Sequence, residues 1–115
     1  MDAAKLLLAA IERSHEPYTL DEVIEEIAQG RSVAFWGEQS VMVCTLHRHH
    51  DVVTGHVWLA GGDLDELRDT LRPQAEQWAK SEGAQYATIE GRRGWVRALR
   101  GEGFEEASRT LRKAL

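Results

Sequence analysis

Asp51-Val52-Val53-Thr54-Gly55-His56-Val57-Trp58-Leu59-Ala60-Gly61-Gly62-Asp63-Leu64-Asp65-Glu66-Leu67 is the stretch that decides the fold. Its first part is rich in β-branched and aromatic residues, which predicts a strand over 52–60. Gly61-Gly62 reads as a tight turn. From Asp63 onward, Leu64, Leu67, Leu71, Ala75, Trp78 and Ala79 fall at steps of three or four, which predicts an amphipathic helix over 63–83. Pro73 lies inside that run. Proline removes a donor and clashes one turn back, so a kink or two successive helices are expected there. A strand over 85–90 follows, and a strand–helix–strand unit pairs its two strands in parallel through a crossover.

Working outward toward the start, Ala3, Leu6, Leu7, Ala10 and Ile11 mark a helix over 2–14, stopped by Ser14-His15-Glu16-Pro17. Thr19-Leu20-Asp21-Glu22 is a capping-box pattern, and Leu20, Val23, Ile24 and Ile27 form the buried stripe of a second helix that Gly30 ends. Short strands over 33–36 and 40–48 precede the strand over 52–60. Their short turns, Gly37-Glu38-Gln39 and His49-His50-Asp51, imply an antiparallel meander. Along Val41-Met42-Val43-Cys44-Thr45-Leu46 both alternating sets are largely apolar, so the sheet is expected to be covered on both faces. Working toward the end, a helix over 94–102 turns Trp95, Ala98 and Leu99 inward, Gly103 stops it, and a last strand runs over 105–113. The reading is therefore one α/β (α+β) domain over 1–115, in the order α-α-β-β-β-α-β-α-β. Its central sheet is mixed but mostly antiparallel, with helices on both faces.

The 115 residues are 43% hydrophobic and 29% charged, the balance of a folded globular chain. No apolar run reaches the roughly 20 residues of a membrane helix. The lone Cys44 makes no internal disulfide, which suits a cytoplasmic setting, and no membrane partner is expected. The net charge of −5 divides unevenly: residues 1–90 carry −9 and residues 91–115 carry +4. Most of the chain would repel phosphate, and no zinc-finger spacing or helix-turn-helix is present, so sequence-specific nucleic-acid binding is not expected.

The element order, together with Ile89-Glu90-Gly91-Arg92-Arg93-Gly94-Trp95-Val96-Arg97-Ala98-Leu99 and the later Gly103-Phe104, resembles the Gcn5-related N-acetyltransferase (GNAT) superfamily. His56-Val57-Trp58-Leu59-Ala60-Gly61-Gly62 and Gly91-Arg92-Arg93-Gly94-Trp95 are similar to the small GNAT-like proteins of tailed phages and prophages. The resemblance implies a cleft beside the central strand. In the acetyltransferases the turn after that strand, of pattern Gln/Arg-x-x-Gly-x-Gly/Ala, holds the coenzyme A pyrophosphate on backbone amides and a helix N-terminus. Here the matching positions are Leu59, Gly61, Gly62, Asp63 and Leu64. The basic or amide residue and the glycine spacing are absent, and residues 61–69 carry a net −3. Asp63 is placed to cap the helix itself.

That departure points to a non-catalytic binding protein with no cofactor, and the resemblance implies a phage or prophage type whose protein partner would be a phage structural protein in a virion or its assembly. The alternative is an N-acetyltransferase using acetyl-CoA through an atypical pyrophosphate loop. For that enzyme His56, Glu90 and Tyr86 are the candidate catalytic groups, since the strands over 52–60 and 85–90 are expected to be neighbours. The helix over 94–102 holds no Tyr, Ser or Cys to protonate a leaving thiolate. Arg92, Arg93, Arg97 and Arg100, with Trp95, are the candidate anion- or partner-binding residues. Arg93, Arg97 and Arg100 are spaced to share a helix face. A third reading makes Arg92 and Arg93 a site for a small anion or nucleotide, and the rival for the four arginines is ion pairing with Glu102, Glu105 or Glu106. His47, His49, His50 and His56 cluster in sequence without the ligand spacing of a metal site, and none is assigned.

Overall fold

In the computed structural model, residues 2–14, 16–90, 93–105 and 113–114 are described, with the backbone alone at 93, 94 and 96. Two helices, α1 (Ala3–Ser14) and α2 (Leu20–Ala28), precede strands β1 (Ser32–Trp36), β2 (Ser40–His49) and β3 (Val52–Gly62). A helical run follows in three pieces: α3 (Leu64–Glu66), a π-helical turn (Leu67–Leu71) and α4 (Arg72–Ser81). Strand β4 (Tyr86–Ile89) and helix α5 (Arg93–Ala98) come next. The strands lie in the order β1-β2-β3-β4; β1, β2 and β3 form the expected antiparallel meander, and β4 joins β3 in parallel. The last strand, expected over 105–113, falls on 106–112, outside the described residues. Among the described residues no helix is long and apolar enough to cross a membrane.

Both faces of the sheet are covered, as the two apolar alternations of β2 require. On one face Val41 and Val43 pack with Leu6, Leu7, Ala10 and Ile11 of α1 and Val23 of α2. On the other, Met42 and Cys44 pack with Leu67, Leu71 and Ala75 of the long helical run. Burial drives the Cys44 thiol up to about 12, so it is an inert core group. Thr19 caps α2 by accepting from the Glu22 amide at 3.1 Å while its hydroxyl donates to the Glu22 carboxylate. Ile24, expected in the buried stripe of α2, is instead exposed, as is Trp36; the other tryptophans are partly buried. Trp36 closes β1, the edge strand of the sheet, and is 45% exposed.

Strand β3 carries the main irregularity. Cys44 of β2 pairs with Val57, yet Val43 pairs with Leu59, so Trp58 is an extra residue. Such a bulge reverses the side-chain alternation beyond it. Before it, Val57 faces the α4 layer and His56 the α1 layer; after it, Leu59 joins the α1 layer and Ala60 the α4 layer. The bulge also marks where pairing with β4 stops, because the last partners are Val57 and Ile89.

Gly61 and Gly62 are the end of β3, paired with Val41 and Ser40, and not the predicted turn. They are glycines because of packing. A Cβ on Gly61 would sit 2.9 Å from Ala10 Cα of α1, and Gly62 has φ +119° with the Gln39 carbonyl where its Cβ would be. The long helix is broken as Pro73 requires. Pro73 lies in the first turn of α4, and the preceding π turn bonds the Arg72 amide to the Leu67 carbonyl. The Arg68 carbonyl, which a proline nitrogen cannot serve, accepts instead from Arg72 Nε at 3.0 Å. Arg72 also reaches Glu76 at 2.6 Å and Glu102 at 3.1 Å, tying this helix to the turn after α5. Helix α5 ends at Ala98, short of the predicted 102, because Gly101 adopts φ +90°; Leu99 is nevertheless buried and Trp95 packs on the core as expected.

Candidate active site

Beyond the bulge, residues 59–62 bond to β2 on one edge while β4 has already ended on the other. The space so opened is a cleft of about 270 Å³, lined by Leu59, Gly61, Gly62, Leu64, Ile89 and Trp95 among others. At Trp58 and Glu90 it meets a larger cavity of about 790 Å³ on the α1–α2 side, which those two residues also line. Trp58, packed edge-on against Tyr18 at 5.1 Å, forms part of the wall of both.

A polar row crosses the sheet under the larger cavity. Ser32 pairs with Thr45, Thr45 with His56, and His56 with Thr88, one residue from each strand. His56 Nδ1 lies 2.8 Å from Thr88 Oγ1, and its ring stacks on His47 at 5.0 Å. Burial pushes His56 below its ordinary value, the His47 charge adds to this, and Glu90 opposes it. His56 is therefore held as the neutral imidazole near pH 7, the form that accepts a proton. Ser32, only 3% exposed, has an Oγ with no hydrogen-bond partner among the described residues. A buried hydroxyl left so costs about 1–3 kcal/mol, and it lines the cavity.

The turn into α3 is self-organised. Asp63 Oδ1 accepts from the Glu66 amide at 2.9 Å, and the Asp63 amide donates to Ser40 Oγ at 2.9 Å. The Glu66 carboxylate is drawn away to the β1–β2 turn, accepting from Glu38 N at 2.9 Å and Gln39 N at 3.0 Å. Ser40 Oγ, whose short contacts are with Asp63, and the Gln39 and Glu38 amides hold that carboxyl below its usual range. Arg68 binds Asp69 at 2.7 Å, lowering the Asp69 carboxyl, and reaches Asp65 at 3.3 Å. The four acids of this segment are thus all engaged. The Leu64 and Asp65 amides are left as first-turn donors without a protein acceptor among the described residues.

The structure brings together His56 and Glu90 on the larger cavity, and Leu59, Gly61, Gly62, Leu64 and Trp95 on the cleft. Tyr86 is not with them: it opens β4 opposite Thr54, at the far end from the split, and is 65% exposed. Asp63 is a helix cap. Arg97 and Arg100 are exposed and line neither space. Arg92 and the Arg93 side chain lie outside the described residues. Glu102, one of the acids weighed as a partner for this basic segment, binds Arg72. Ser32, Tyr18, Trp58 and the acids of α2 carry no functional signal in the sequence, where the spacing of Glu22, Glu25 and Glu26 reads as a solvated helix face.

No family model and no curated protein matches the chain. Among solved structures, an acetyltransferase from Trypanosoma brucei superposes with TM-score 0.71 at 13% identity, over 98% of this chain and 92% of that one. TTHA1254 from Thermus thermophilus superposes with TM-score 0.65 at 17% identity, over 100% of this chain and 93% of that one. A mutant of TTHA1254 gives 0.67. At such identities the likeness is one of fold, and the fold of this chain is GNAT-like.

Proposed function

We propose that the chain is an N-acyltransferase that uses an acyl-coenzyme A as donor. The observation that carries this reading is the split between β3 and β4 at the Trp58 bulge, which joins a cleft to an acidic cavity at Trp58 and Glu90. In this reading the acyl thioester occupies the cleft along the open edge of residues 59–62. The Leu64 and Asp65 amides face its phosphates, and the amine enters from the cavity. The amine nitrogen bonds to the acyl carbon as the carbon–sulfur bond breaks. The proton lost by the amine passes to neutral His56 or to the Glu90 carboxylate. Residues 93–98 contain no Tyr, Ser or Cys to protonate the departing thiolate, which in this reading leaves as the anion and takes its proton from solvent.

Titration of the purified chain with acetyl-CoA tests this, by calorimetry and by thermal shift, with thiol release followed over a panel of amines. Binding should stabilise the fold by about 3 kcal/mol at a hundredfold excess over Kd. Neither heat nor shift at millimolar acetyl-CoA would overturn the reading. A second reading, a non-catalytic binding protein, is favoured by one feature: the four acids at 63–69, where an acetyltransferase has its phosphate-binding turn. The resemblance to phage proteins makes virion components the partners to try in that case.

A further inference from the structure

The larger cavity has a character of its own. Among the described residues its lining sets Glu16, Glu22, Glu25, Glu26 and Glu90 against Arg13, and Glu26 is also bound by Arg31 at 3.0 Å. An acidic surface by itself is ordinary solvent-facing chemistry. Here it surrounds a space whose floor holds the unpartnered Ser32 hydroxyl, shut off from bulk water. That hydroxyl has lone pairs to offer and, among the described residues, no protein donor to take them. The Tyr18–Trp58 edge pair adds an aromatic wall to the same cavity, a surface that attracts cations.

The positions of these groups set a length. Ser32 lies on β1 and His56 on β3, joined through Thr45 in one row across the sheet. Adjacent strands are about 4.8 Å apart, so the two are separated by about 10 Å. Glu26 lies at the Ser32 end, where its backbone carbonyl accepts from the Arg31 amide, with Glu25 next to it in α2, and Glu90 follows β4 at the end where the split opens. We infer that the acceptor amine is a linear aliphatic polyamine, its reacting nitrogen at His56 and Glu90 and a second ammonium held by Ser32, Glu25 and Glu26. An extended spermidine chain spans that distance. The volume of about 790 Å³ is that of a small-molecule site, which favours a free polyamine over a protein segment. The inference rests on the acyltransferase reading for its reacting end and on the cavity alone for its binding end.

The test separates the two. Spermidine and n-hexylamine are compared as acceptors at saturating acetyl-CoA, by thiol release, and spermidine binding is measured by calorimetry on the full chain alone. Spermidine should exceed hexylamine in kcat/KM at least 100-fold. Ser32→Ala, and separately Glu25→Gln with Glu26→Gln, should raise KM for spermidine about 10-fold, leave kcat unchanged and leave hexylamine unaffected. Circular dichroism of each variant verifies its folding. Spermidine binding that these variants weaken, with no thiol released from any amine, would support the cation site and sink the acyltransferase reading. Equal use of the two amines, or variants that shift both equally, would overturn the polyamine inference while that reading stands. No spermidine heat at millimolar concentration would overturn it as well.

Discussion

The two halves of β3 are one strand in sequence and two different objects in the fold. Residues 52–57 are flanked on both sides, by β2 and then by β4 from Thr54 onward. Among the described residues, 59–62 pair with β2 alone, and their other edge borders the cleft. The closed half holds the sheet together, and the open half shapes the candidate site. A single inserted residue separates them, so one position sets both the face that each later side chain takes and the place where the sheet splits.

Deleting Trp58 should therefore do the most damage. Without the extra residue, 59–62 continue the first half's alternation, turning Leu59 toward α4 and Ala60 toward α1. Leu59 is 2% exposed in its present pocket, so the variant loses a core leucine and misfits several neighbours. We expect at least about 5 kcal/mol, read as a collapse of the urea unfolding midpoint. An unchanged midpoint would break the comparison outright. Gly62→Ala comes next, because it strains a φ of +119° and drives a Cβ into the Gln39 carbonyl. About 4 kcal/mol is expected, measured in the same way. Trp58→Leu keeps the residue count but removes the edge contact with Tyr18 and part of the indole's packing on the α1-face core. It should cost about 1–2 kcal/mol. A loss as large as that of the deletion would mean that the indole, and not the insertion, makes the bulge.

Legibility in the sequence follows the range of the interaction. The two-faced sheet could be read from Val41 to Leu46, the break at Pro73 from proline chemistry, and the adjacency of His56 and Glu90 from the strand–helix–strand order, because each rests on local pattern. The bulge could not. Trp58 is a good strand former, and an extra residue is extra only relative to β2. Gly61-Gly62 carries the composition of a turn, while its true constraint is the approach of Ala10 on α1 and of Gln39 before β2. The cavity was hidden for the same reason. The acids of α2 become a lining only once α2 is placed over the α1 face of the sheet beside Ser32, and no spacing within the helix records that.

The row beneath the cavity gives a pH signature that sharpens the contrast. His56 is held below its ordinary 6.5 by burial, so the unfolded chain binds a proton there before the folded one does. Its share of stability is whole above about pH 6.5 and is lost as the pH falls from there toward the folded value. Glu66, on the outer turn, is held below its ordinary 4.5, and its share goes only as the pH drops below that, through its folded value. Urea midpoints taken between pH 7.5 and 5.5 should fall for the native chain and stay flatter for His56→Gln. Parallel profiles would remove His56 as the group that titrates.

The smallest effect belongs to the far tip of the closed half. His50 adopts φ +55° in the two-residue link between β2 and β3, a conformation that crowds a Cβ against the following carbonyl. Its ring lies 4.3 Å from that of His49, edge to face, on an exposed corner, so little packing compensates. Glycine meets the same backbone without that crowding but gives the unfolded chain more freedom, and the two effects partly cancel. His50→Gly should raise stability by about 0.5 kcal/mol and leave acetyl-CoA and spermidine titrations unchanged. The tip is joined to the bulge through the paired halves of β2 and β3, so a ligand response to this substitution would show that the two halves of β3 are mechanically coupled.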